Sequence, residues 1–281
     1  MISKNIRGFL SLLRLSNCFI SFFSVFIVVL LMSKIGGIIY TSFFFKTFLA
    51  ALAVFLITGG GNAVNDYYDA EIDKINKPKR PIPSKIITKK QALYFTFALF
   101  SVGLVLSFFV NVYAFFVALV NIVILTIYSK LKQKTILGNF VVAYLCGSVF
   151  LYAGTILMSG FDLVVKLFLL SFFAMLGREI TKDIEDIAGD SKRKKTIATQ
   201  FSAKHAGALG ALTLGTSIII SLGLMEYFGK LYVLAIFFAD TVLFYCIIRL
   251  LFNPVKYAPE CQRLEKLAVI IMLAGIFACA L

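Results

Sequence analysis

The chain has 281 residues, of which 60% are hydrophobic and 15% charged, whereas soluble domains are about half apolar and a quarter charged. This composition and the mean hydropathy of +0.93 argue against a soluble fold and predict an integral membrane protein. The net charge of +14 does not indicate nucleic-acid binding, because the basic residues are divided among membrane connections and form no recognisable module. The five cysteines form no C-x-x-C pair and His205 is the only histidine in the sequence, so zinc centres and disulfide frameworks are poorly supported.

Apolar runs of membrane-spanning length recur along the whole chain. They predict nine transmembrane helices, at residues 17–35, 43–65, 91–110, 112–129, 136–159, 162–182, 206–226, 229–251 and 264–281. The run Gly59-Gly60-Gly61 in the second of these predicts close approach of neighbouring helices. No low-complexity linker interrupts the pattern, so we expect residues 1–281 to form a single all-α membrane domain.

Basic residues are distributed unevenly between the two ends of the predicted helices. All but four of the 28 Lys and Arg residues lie in the N-terminus, in the connections after the second, fourth, sixth and eighth helices, or at the ends of those helices. The four on the other side are Lys34, Lys46, Lys166 and Lys230. By the positive-inside rule, this predicts a multi-pass protein of the cell membrane with its N-terminus in the cytoplasm. The basic side would also attract anionic membrane lipid.

One acidic spacing, D-x-x-D-x-x-x-D, occurs at the cytoplasmic ends of the second and sixth predicted helices. Its members are Asp66, Asp69, Asp73, Asp183, Asp186 and Asp190. Each residue of the first copy lies 117 positions before its counterpart in the second. Positions i, i+3, i+4 and i+7 of a helix share a face, so each copy predicts a stripe of carboxylates. Asn62 and Asn65 extend the first stripe, and Arg178 and Lys182 precede the second.

Each acidic copy is followed by a basic cluster within a long connection, over residues 66–90 and 183–205. Loops of this length in compact proteins tend to be functional or disordered. Pro78, Pro81 and Pro83 prevent the first connection from continuing as helix. The clusters comprise Lys74, Lys77, Lys79 and Arg80, and then Lys192, Arg193, Lys194 and Lys195. The shared order suggests a parallel repeat, in which the second and sixth helices cross the membrane in the same direction.

Carboxylates on one helix face repel one another, by about 1 kcal/mol per pair in water and by several in a cleft. A divalent metal removes this repulsion, and Mg²⁺ typically takes one or two carboxylates plus substrate phosphates. The two copies therefore predict a site for two or three Mg²⁺ ions and one diphosphate, with Lys and Arg binding the remaining phosphate oxygens. The alternative is a solvated charged loop, which is common for charge runs. The repeated spacing favours the metal site.

These motifs resemble those of the UbiA superfamily of intramembrane prenyltransferases. The superfamily's first motif, N-D-x-x-D-x-x-x-D, is matched over residues 65–73, and its second acidic motif over residues 183–190. A third motif, Y-x-x-x-K, is matched by Tyr128 and Lys132. The resemblance covers the full chain. It implies one UbiA-type domain, a nine-helix bundle with cytoplasmic active-site loops and a lateral opening towards the lipid.

The resemblance also implies roles for individual residues. The metal set would be Asn65, Asp66, Asp69, Asp73, Asp183, Asp186 and Asp190. Within it, Asn65, Asp69 and Asp186 would contact the ion directly. Asp73 and Asp190 would be ligands or supports acting through water. The diphosphate would be bound by Arg80, Tyr128, Lys132 and Lys182. Asp66 is also the candidate base, or the residue that positions the acceptor.

Within the superfamily, the segment GREITKDIEDIAGD followed by KKTIAT resembles the archaeal digeranylgeranylglyceryl phosphate synthases, as does the N-terminal LLRLSNCF. This implies transfer of a geranylgeranyl group from geranylgeranyl diphosphate to the sn-2 hydroxyl of geranylgeranylglyceryl phosphate, forming an ether. The acceptor carries its own phosphate and needs a further subsite. The candidates are Arg14, Asn17, Asn62, Lys85 and Arg178. For Arg178 and Lys182, pairing with nearby helical acids is the alternative.

Three other functions remain open at this point. An aromatic-acceptor prenyltransferase of quinone biosynthesis would share the metal site and differ in the acceptor pocket. A cation transporter would hold its ions near the bilayer midplane on broken helices, whereas these acids lie at helix ends beside basic clusters. A non-catalytic scaffold predicts that Asp69 and Asp186 can be replaced without loss of activity. Asp240, inside the eighth predicted helix, either bonds a neighbouring helix or lies higher in the membrane than the predicted span implies, and it has no assigned catalytic role.

Overall fold

The computed structural model describes residues 4–37, 40–132, 135–187 and 195–280, and each regular element in these ranges is helical. The long helices are α2 (Leu15–Ile35), α3 (Phe44–Asn76), α4 (Lys89–Val110), α5 (Val112–Leu131), α6 (Gly138–Leu157), α7 (Phe161–Glu185), α9 (Ala203–Gly223), α10 (Lys230–Phe252) and α11 (Pro254–Ala280). The short elements are α1 (Lys4–Leu13), a 3₁₀ turn (Tyr40–Phe43) and α8 (Ile197–Gln200).

Within the described ranges, seven helices are long and apolar enough to cross a membrane, namely α2, α3, α4, α5, α6, α9 and α10. The chain is therefore a multi-pass α-helical membrane protein. Helices α7 and α11 coincide with the other two predicted spans, but they carry more charge, such as Arg178 and Glu179 in α7 and Arg263 and Glu265 in α11. The expectation of nine crossings stays a prediction.

The helices group into two compact units among the described residues. Unit 1 comprises Met1–Val29, Ile39–Lys130 and Tyr152–Met158, and unit 2 comprises Leu30–Ile38, Leu131–Leu151 and Ser159–Leu281. Each unit contains one copy of the acidic spacing. The expectation of a single domain stays a prediction.

Unit 1 is organised around α3, which packs along α4 and against α1. The glycine run in α3 permits this packing, as expected. A Cβ on Gly60 would lie 2.5 Å from the Phe100 ring of α4, and one on Gly59 would lie 2.6 Å from Leu13. A Cβ on Gly61 would lie 3.0 Å from Leu125 of α5. Close contact on several sides of α3 therefore depends on the missing side chains.

The first acidic copy lies inside α3, because this helix is longer than the sequence predicted. The predicted span ended at residue 65 and its connection began at residue 66, and both boundaries are wrong. The first helix breaker after the glycine run is Pro78, so α3 continues to Asn76 and the connection is only residues 77–88. A capping box of Thr88 and Gln91 then starts α4.

The connection of residues 77–88 folds back onto α1 and α3. Ile82 and Ile87 are buried with residues of α1, α3 and α4, namely Leu12, Ala63, Ala70 and Ala92. The amide groups of Ile86 and Ile87 both donate to the Pro81 carbonyl, at 3.0 and 3.1 Å. Apolar burial and these backbone bonds hold the connection in place beside the acidic face of α3.

Unit 2 places α7 against α9 and α11, while α10 packs between α9 and α11. Close approach again depends on glycine, since a Cβ on Gly177 of α7 would lie 2.7 Å from Leu214 of α9. Helix α7 ends at Glu185, and Asp186 occupies its C-cap position. Asp190 and the basic residues Lys192, Arg193 and Lys194 lie outside the described residues. A capping box at Thr196 begins α8.

Candidate functional site

The first acidic copy forms the polar stripe that the spacing predicts, on the last turns of α3. Asp66 and Asp73 are buried, with 4% and 5% of their surface exposed. Asn65 and Asp69 are half-buried. Burying two carboxylates has a large free-energy cost unless cations or hydrogen-bond donors compensate them. The identity of those partners therefore decides what the stripe can do.

Two arginines compensate the buried carboxylates. Arg14 Nη2 lies 2.5 Å from Asp66 Oδ1, and Arg80 Nη1 lies 3.0 Å from the same oxygen. Arg80 Nη1 also donates to Asp73 Oδ2 at 2.6 Å. Arg80 thus joins the connection of residues 77–88 to two successive turns of α3. Both arginines were predicted as substrate ligands, and each contacts a residue of the predicted metal set.

The junction between α1 and α2 is bound to the same face of α3. Arg14 has a positive φ of 52°, which is uncommon outside glycine. Asn62 Nδ2 donates to the carbonyl of Leu13 at 2.8 Å, and the guanidinium of Arg14 reaches Asp66. These bonds hold the unusual turn. Asn62 therefore positions the junction, while Asn17, the other candidate in this region, is exposed.

Ser129 of α5 orients the asparagine of the first motif. Its hydroxyl lies 2.8 Å from Asn65 Oδ1 and 2.6 Å from the carbonyl of Leu125. Sequence reasoning missed Ser129, although it directly follows Tyr128 of the third motif. Tyr128 on α5 is half-buried, and Lys132 after the end of α5 is half-buried as well. Lys85 is exposed in the connection of residues 77–88, at a φ of 60°.

The second acidic copy is divided by burial. Asp183 is buried on α7 and accepts a hydrogen bond from Asn139 Nδ2 of α6 at 2.6 Å. Asp186 is exposed at the end of α7. Asn139 was also missed by the sequence analysis. A polar side chain in the first turn of an apolar helix was its only sequence signal.

The cations before the second copy both pair with Glu179, at spacings of one and three residues instead of the four-residue spacing that the alternative assumed. Arg178 Nη1 lies 3.0 Å from Glu179 Oε1, and Lys182 Nζ lies 3.9 Å from Glu179 Oε2. Arg178 and Glu179 are half-buried and Lys182 is exposed. The structure thus gives both cations a protein partner, and their binding of a substrate stays a prediction.

The donor chemistry of both copies fits magnesium. Across the described ranges, no three His, Cys, Asp or Glu side chains converge as a ready metal centre. Part of the reason is that Asp66 and Asp73 are bonded to arginines, which occupy carboxylate oxygens that a metal would need. Asn65 and Asp69 nevertheless place an amide and a carboxylate one turn apart on α3, and Asp186 places an exposed carboxylate at the end of α7. Such oxygen donors are the ligands that Mg²⁺ prefers.

Asp240 bonds a neighbouring helix, which is the first of the two predicted alternatives. The hydroxyl of Ser221 on α9 donates to Asp240 Oδ2 at 2.7 Å. Within the hydrocarbon region, such a bond lowers the cost of an ionisable side chain and links two helices. Asp240 therefore has a structural contact that explains its presence.

Comparison with known proteins extends the resemblance. The sequence pattern of the UbiA prenyltransferase family matches residues 21–270. The chain is similar to a digeranylgeranylglyceryl phosphate synthase of Methanococcus maripaludis, with 40% identity over 259 residues that cover 90% of each chain. It is also similar to that of Methanosarcina mazei, with 38% identity over 98% of this chain and 100% of the relative.

Solved structures agree in fold. A structure of a digeranylgeranylglyceryl phosphate synthase superposes with a TM-score of 0.88 at 33% identity and covers 99% of both chains. A UbiA homologue from Archaeoglobus fulgidus, bound to GPP and Mg²⁺, superposes with a TM-score of 0.62, covering 96% of this chain and 99% of that one. At 15% identity this second likeness supports the fold alone. From the matched family pattern and the full-length relatives, the chain belongs to the UbiA prenyltransferase family.

Proposed function

We propose that this prenyltransferase moves a geranylgeranyl group from geranylgeranyl diphosphate to the sn-2 hydroxyl of geranylgeranylglyceryl phosphate. The observation that carries the proposal is the near-complete coverage of archaeal digeranylgeranylglyceryl phosphate synthases at 38–40% identity. The reaction forms the second ether bond of an archaeal membrane lipid. The aromatic-acceptor alternative shares the same metal chemistry, so the acceptor is the point that needs a test.

The metal in this proposal is Mg²⁺, held by oxygen ligands of both acidic copies. Asn65, Asp69 and Asp186 are the direct ligands, because they are the half-buried or exposed members of the set. The buried Asp73 supports the site through Arg80, and the buried Asp183 supports it through its bond to Asn139. Asp190 is a ligand or a support through water. Bound Mg²⁺ neutralises the diphosphate and improves it as a leaving group.

Arg80 is the central diphosphate ligand in this proposal. Its contacts with Asp66 and Asp73 both use Nη1. A guanidinium has five N–H donors in a fixed fork, so Nη2 and Nε can bind phosphate oxygens while Nη1 remains on the carboxylates. The carboxylates thus orient the arginine. Lys132, Lys182 and Tyr128 complete the diphosphate set.

Asp66 positions the acceptor hydroxyl and takes its proton. Both arginine contacts fall on Oδ1 of Asp66, which leaves Oδ2 as the oxygen for the acceptor. The allylic carbon–oxygen bond of the donor breaks, and its electron pair leaves with the diphosphate. The acceptor oxygen then forms the ether bond and releases its proton to Asp66. Arg14, Asn17, Lys85 and Arg178 are the candidates for binding the acceptor's phosphate, and Asn62 holds the α1–α2 junction that carries Arg14.

The membrane location of the site explains why the substrates suit this fold. Each buried CH₂ contributes about 0.8 kcal/mol, so a twenty-carbon tail would be costly to transfer into water at every turnover. We place the site on the cytoplasmic side, with a lateral opening that lets the tail stay in the lipid. The distribution of Lys and Arg supports this orientation.

An acceptor-competition assay tests the proposal. Purified protein in lipid nanodiscs receives geranylgeranyl diphosphate with either geranylgeranylglyceryl phosphate or an aromatic quinone precursor, and products are identified by mass spectrometry. We expect the diether phosphate from the first acceptor and no product from the second. Reaction with the aromatic acceptor alone would disprove the ether-lipid assignment. The Asp69→Asn variant, prepared identically, serves as the inactive control.

A further inference from the structure

Besides Asp183, a further buried carboxyl group lies next to the helix turn that precedes the second acidic copy. Glu265 on α11 is only 1% exposed, and its Oε1 lies 2.8 Å from the hydroxyl of Thr181 on α7. Thr181 is itself fully buried, two residues before Asp183. Gly210 of α9 faces the same threonine, since a Cβ there would lie 3.9 Å from Thr181 Oγ1. Three helices of unit 2 therefore meet at Thr181.

The hydrogen atoms at this contact can be counted. Thr181 Oγ1 lies 3.0 Å from the carbonyl of Gly177 and 2.8 Å from Glu265 Oε1. A hydroxyl has one hydrogen, so it cannot donate to both oxygens. Both bonds form if Thr181 donates to Gly177 and a protonated Glu265 donates to Thr181. With a neutral Glu265 each contact is a full hydrogen bond, whereas with an ionised Glu265 the hydroxyl can donate fully to only one of the two oxygens.

The surrounding charges favour the same state. Among the described residues, no Lys or Arg forms an ion pair with Glu265, and its Oε2 has no hydrogen-bond partner there. The cation of α7 near this site, Arg178, is paired with Glu179. Among the described residues, Cys261 on its own helix and Cys246 on α10 are titratable groups that interact with Glu265, and both are buried. Burying a carboxylate that has no cation partner is far less favourable than burying the neutral acid.

We propose that Glu265 is a protonated carboxylic acid that positions the second acidic copy through Thr181. The last turns of α7 are then held by α11 at Thr181 and by α6 at Asp183, where Asn139 Nδ2 donates at 2.6 Å. Glu265 touches no substrate in this arrangement. It determines where α7 ends, and thereby where Asp186 stands. This role in metal and diphosphate binding rests on the proposed function, whereas the protonation state of Glu265 does not.

Four single variants, each purified as the full chain in nanodiscs, test the proposal. Glu265→Gln keeps the shape and a donor for Thr181, whereas Glu265→Leu and Thr181→Val remove the bond. Glu260→Gln is the matched control, because Glu260 lies on the same helix but is exposed. Each variant is measured for Mg²⁺-dependent binding of geranylgeranyl diphosphate by calorimetry, for thermal unfolding, and by infrared spectroscopy for the carbonyl band of a protonated carboxylic acid.

We expect Glu265→Leu and Thr181→Val to bind the diphosphate about 10- to 100-fold more weakly, as removal of a supporting residue of a metal site typically does. Glu265→Gln should bind the diphosphate as tightly as the unchanged protein does, because it keeps a donor for Thr181. Loss of a deuterium-sensitive carboxylic acid band is expected in Glu265→Gln and Glu265→Leu, but not in Glu260→Gln.

Three results would overturn the proposal. The infrared band could be unaffected by Glu265→Gln, which would show that Glu265 is ionised. Glu265→Gln could bind the diphosphate as weakly as Glu265→Leu does. A folded Glu265→Leu protein could bind it unchanged, and the residue would then have no positioning role. If geranylgeranyl diphosphate were not the donor, calorimetry would show no binding to any of the proteins, whereas the infrared result would be unchanged. Failure of the proposed function is therefore distinguishable from failure of the proposal about Glu265.

Discussion

Arg80 Nη1 lies 2.6 Å from Oδ2 of Asp73, which is on the last turns of α3, seven residues earlier in the chain. This ion pair joins the connection of residues 77–88 to the helix that precedes it. The side chains are 22% and 7% exposed, so water screens the pair only partly. The same guanidinium nitrogen also reaches Asp66, and Arg80 therefore compensates two buried carboxylates at once.

Replacing Arg80 should destabilise the protein as well as inactivate it. Arg80→Met leaves Asp73 without its cation, and breaking such a buried pair costs about 3 kcal/mol. The free energy of unfolding in detergent measures this loss. Lys74→Met is the matched control, because Lys74 pairs with Glu71 and both are more than half exposed. It should change the free energy by less than about 1 kcal/mol.

A double variant separates the structural and catalytic roles of Arg80. Arg80→Met combined with Asp73→Asn removes the carboxylate that has lost its cation, whereas Asp66 keeps Arg14. Part of the lost stability should therefore return. Prenyl transfer should not return, because the diphosphate still lacks its arginine. If Arg80→Met and the control Lys74→Met had the same free energy of unfolding, the ion pair between Arg80 and Asp73 would not stabilise the protein.

Activity should depend on Mg²⁺ through Asp69 and Asp186. Asp69→Asn and Asp186→Asn each remove a metal-binding carboxylate and should lower turnover about 100-fold. The unfolding temperature should change little, because Asp69 is half-buried and Asp186 is exposed. The exposed Glu71, on the same helix as Asp69, provides the control Glu71→Gln, which should remain active. Chelation by EDTA should abolish turnover of the unchanged protein, and excess Mg²⁺ should restore it. Full activity in EDTA would rule out the metal.

Gly60 should not tolerate even one methyl group. The Cβ of Gly60→Ala would lie 2.5 Å from the Phe100 ring, and overpacking of this kind typically costs about 1–3 kcal/mol. Gly215→Ala in α9 is the control, since its nearest neighbour would lie at 3.9 Å. Combining Gly60→Ala with Phe100→Leu should recover stability. If the two glycine variants unfold alike, α3 and α4 do not pack as described.

Asn139 should stabilise the second acidic copy. Asn139→Ala leaves the buried Asp183 without its amide donor, at a cost of about 2 kcal/mol in the free energy of unfolding. Removing both partners with Asn139→Ala and Asp183→Ala should cost less than the sum of the single changes, because the two side chains bond each other. The exposed Asn17 provides a neutral control in Asn17→Ala. Additive losses would show that the two residues act independently.

The predicted orientation can be tested by thiol labelling. Lys79→Cys lies in the connection of residues 77–88, and Gly229→Cys lies beside Lys230, at the end of α10 opposite to Arg249. A membrane-impermeant reagent should label the first only from the cytoplasmic side and the second only from outside. The native cysteines are buried or half-buried, so the unchanged protein is the control. Labelling in the reverse pattern would invert the proposed topology.

Local sequence patterns determined much of this molecule. Apolar runs located the long helices, because a segment inside the membrane must satisfy its backbone N–H and C=O groups with hydrogen bonds of its own. The 3/4 spacing placed Asn65, Asp66, Asp69 and Asp73 on one helix face, since a helix repeats every 3.6 residues. The motifs also identified the family. Each of these inferences depends on residues close together in the chain.

Only the tertiary structure decided the partners of those residues. Arg14 reaches Asp66 across 52 positions, Asn139 reaches Asp183 across 44, and Glu265 reaches Thr181 across 84. No periodicity relates such pairs, because packing between separate helices brings them together. Burial then places chemically identical carboxylates in different environments: Asp183 and Asp73 are enclosed and bonded, while Asp186 is exposed. Sequence thus determined which groups are present, and helix packing decided which of them are compensated within the protein.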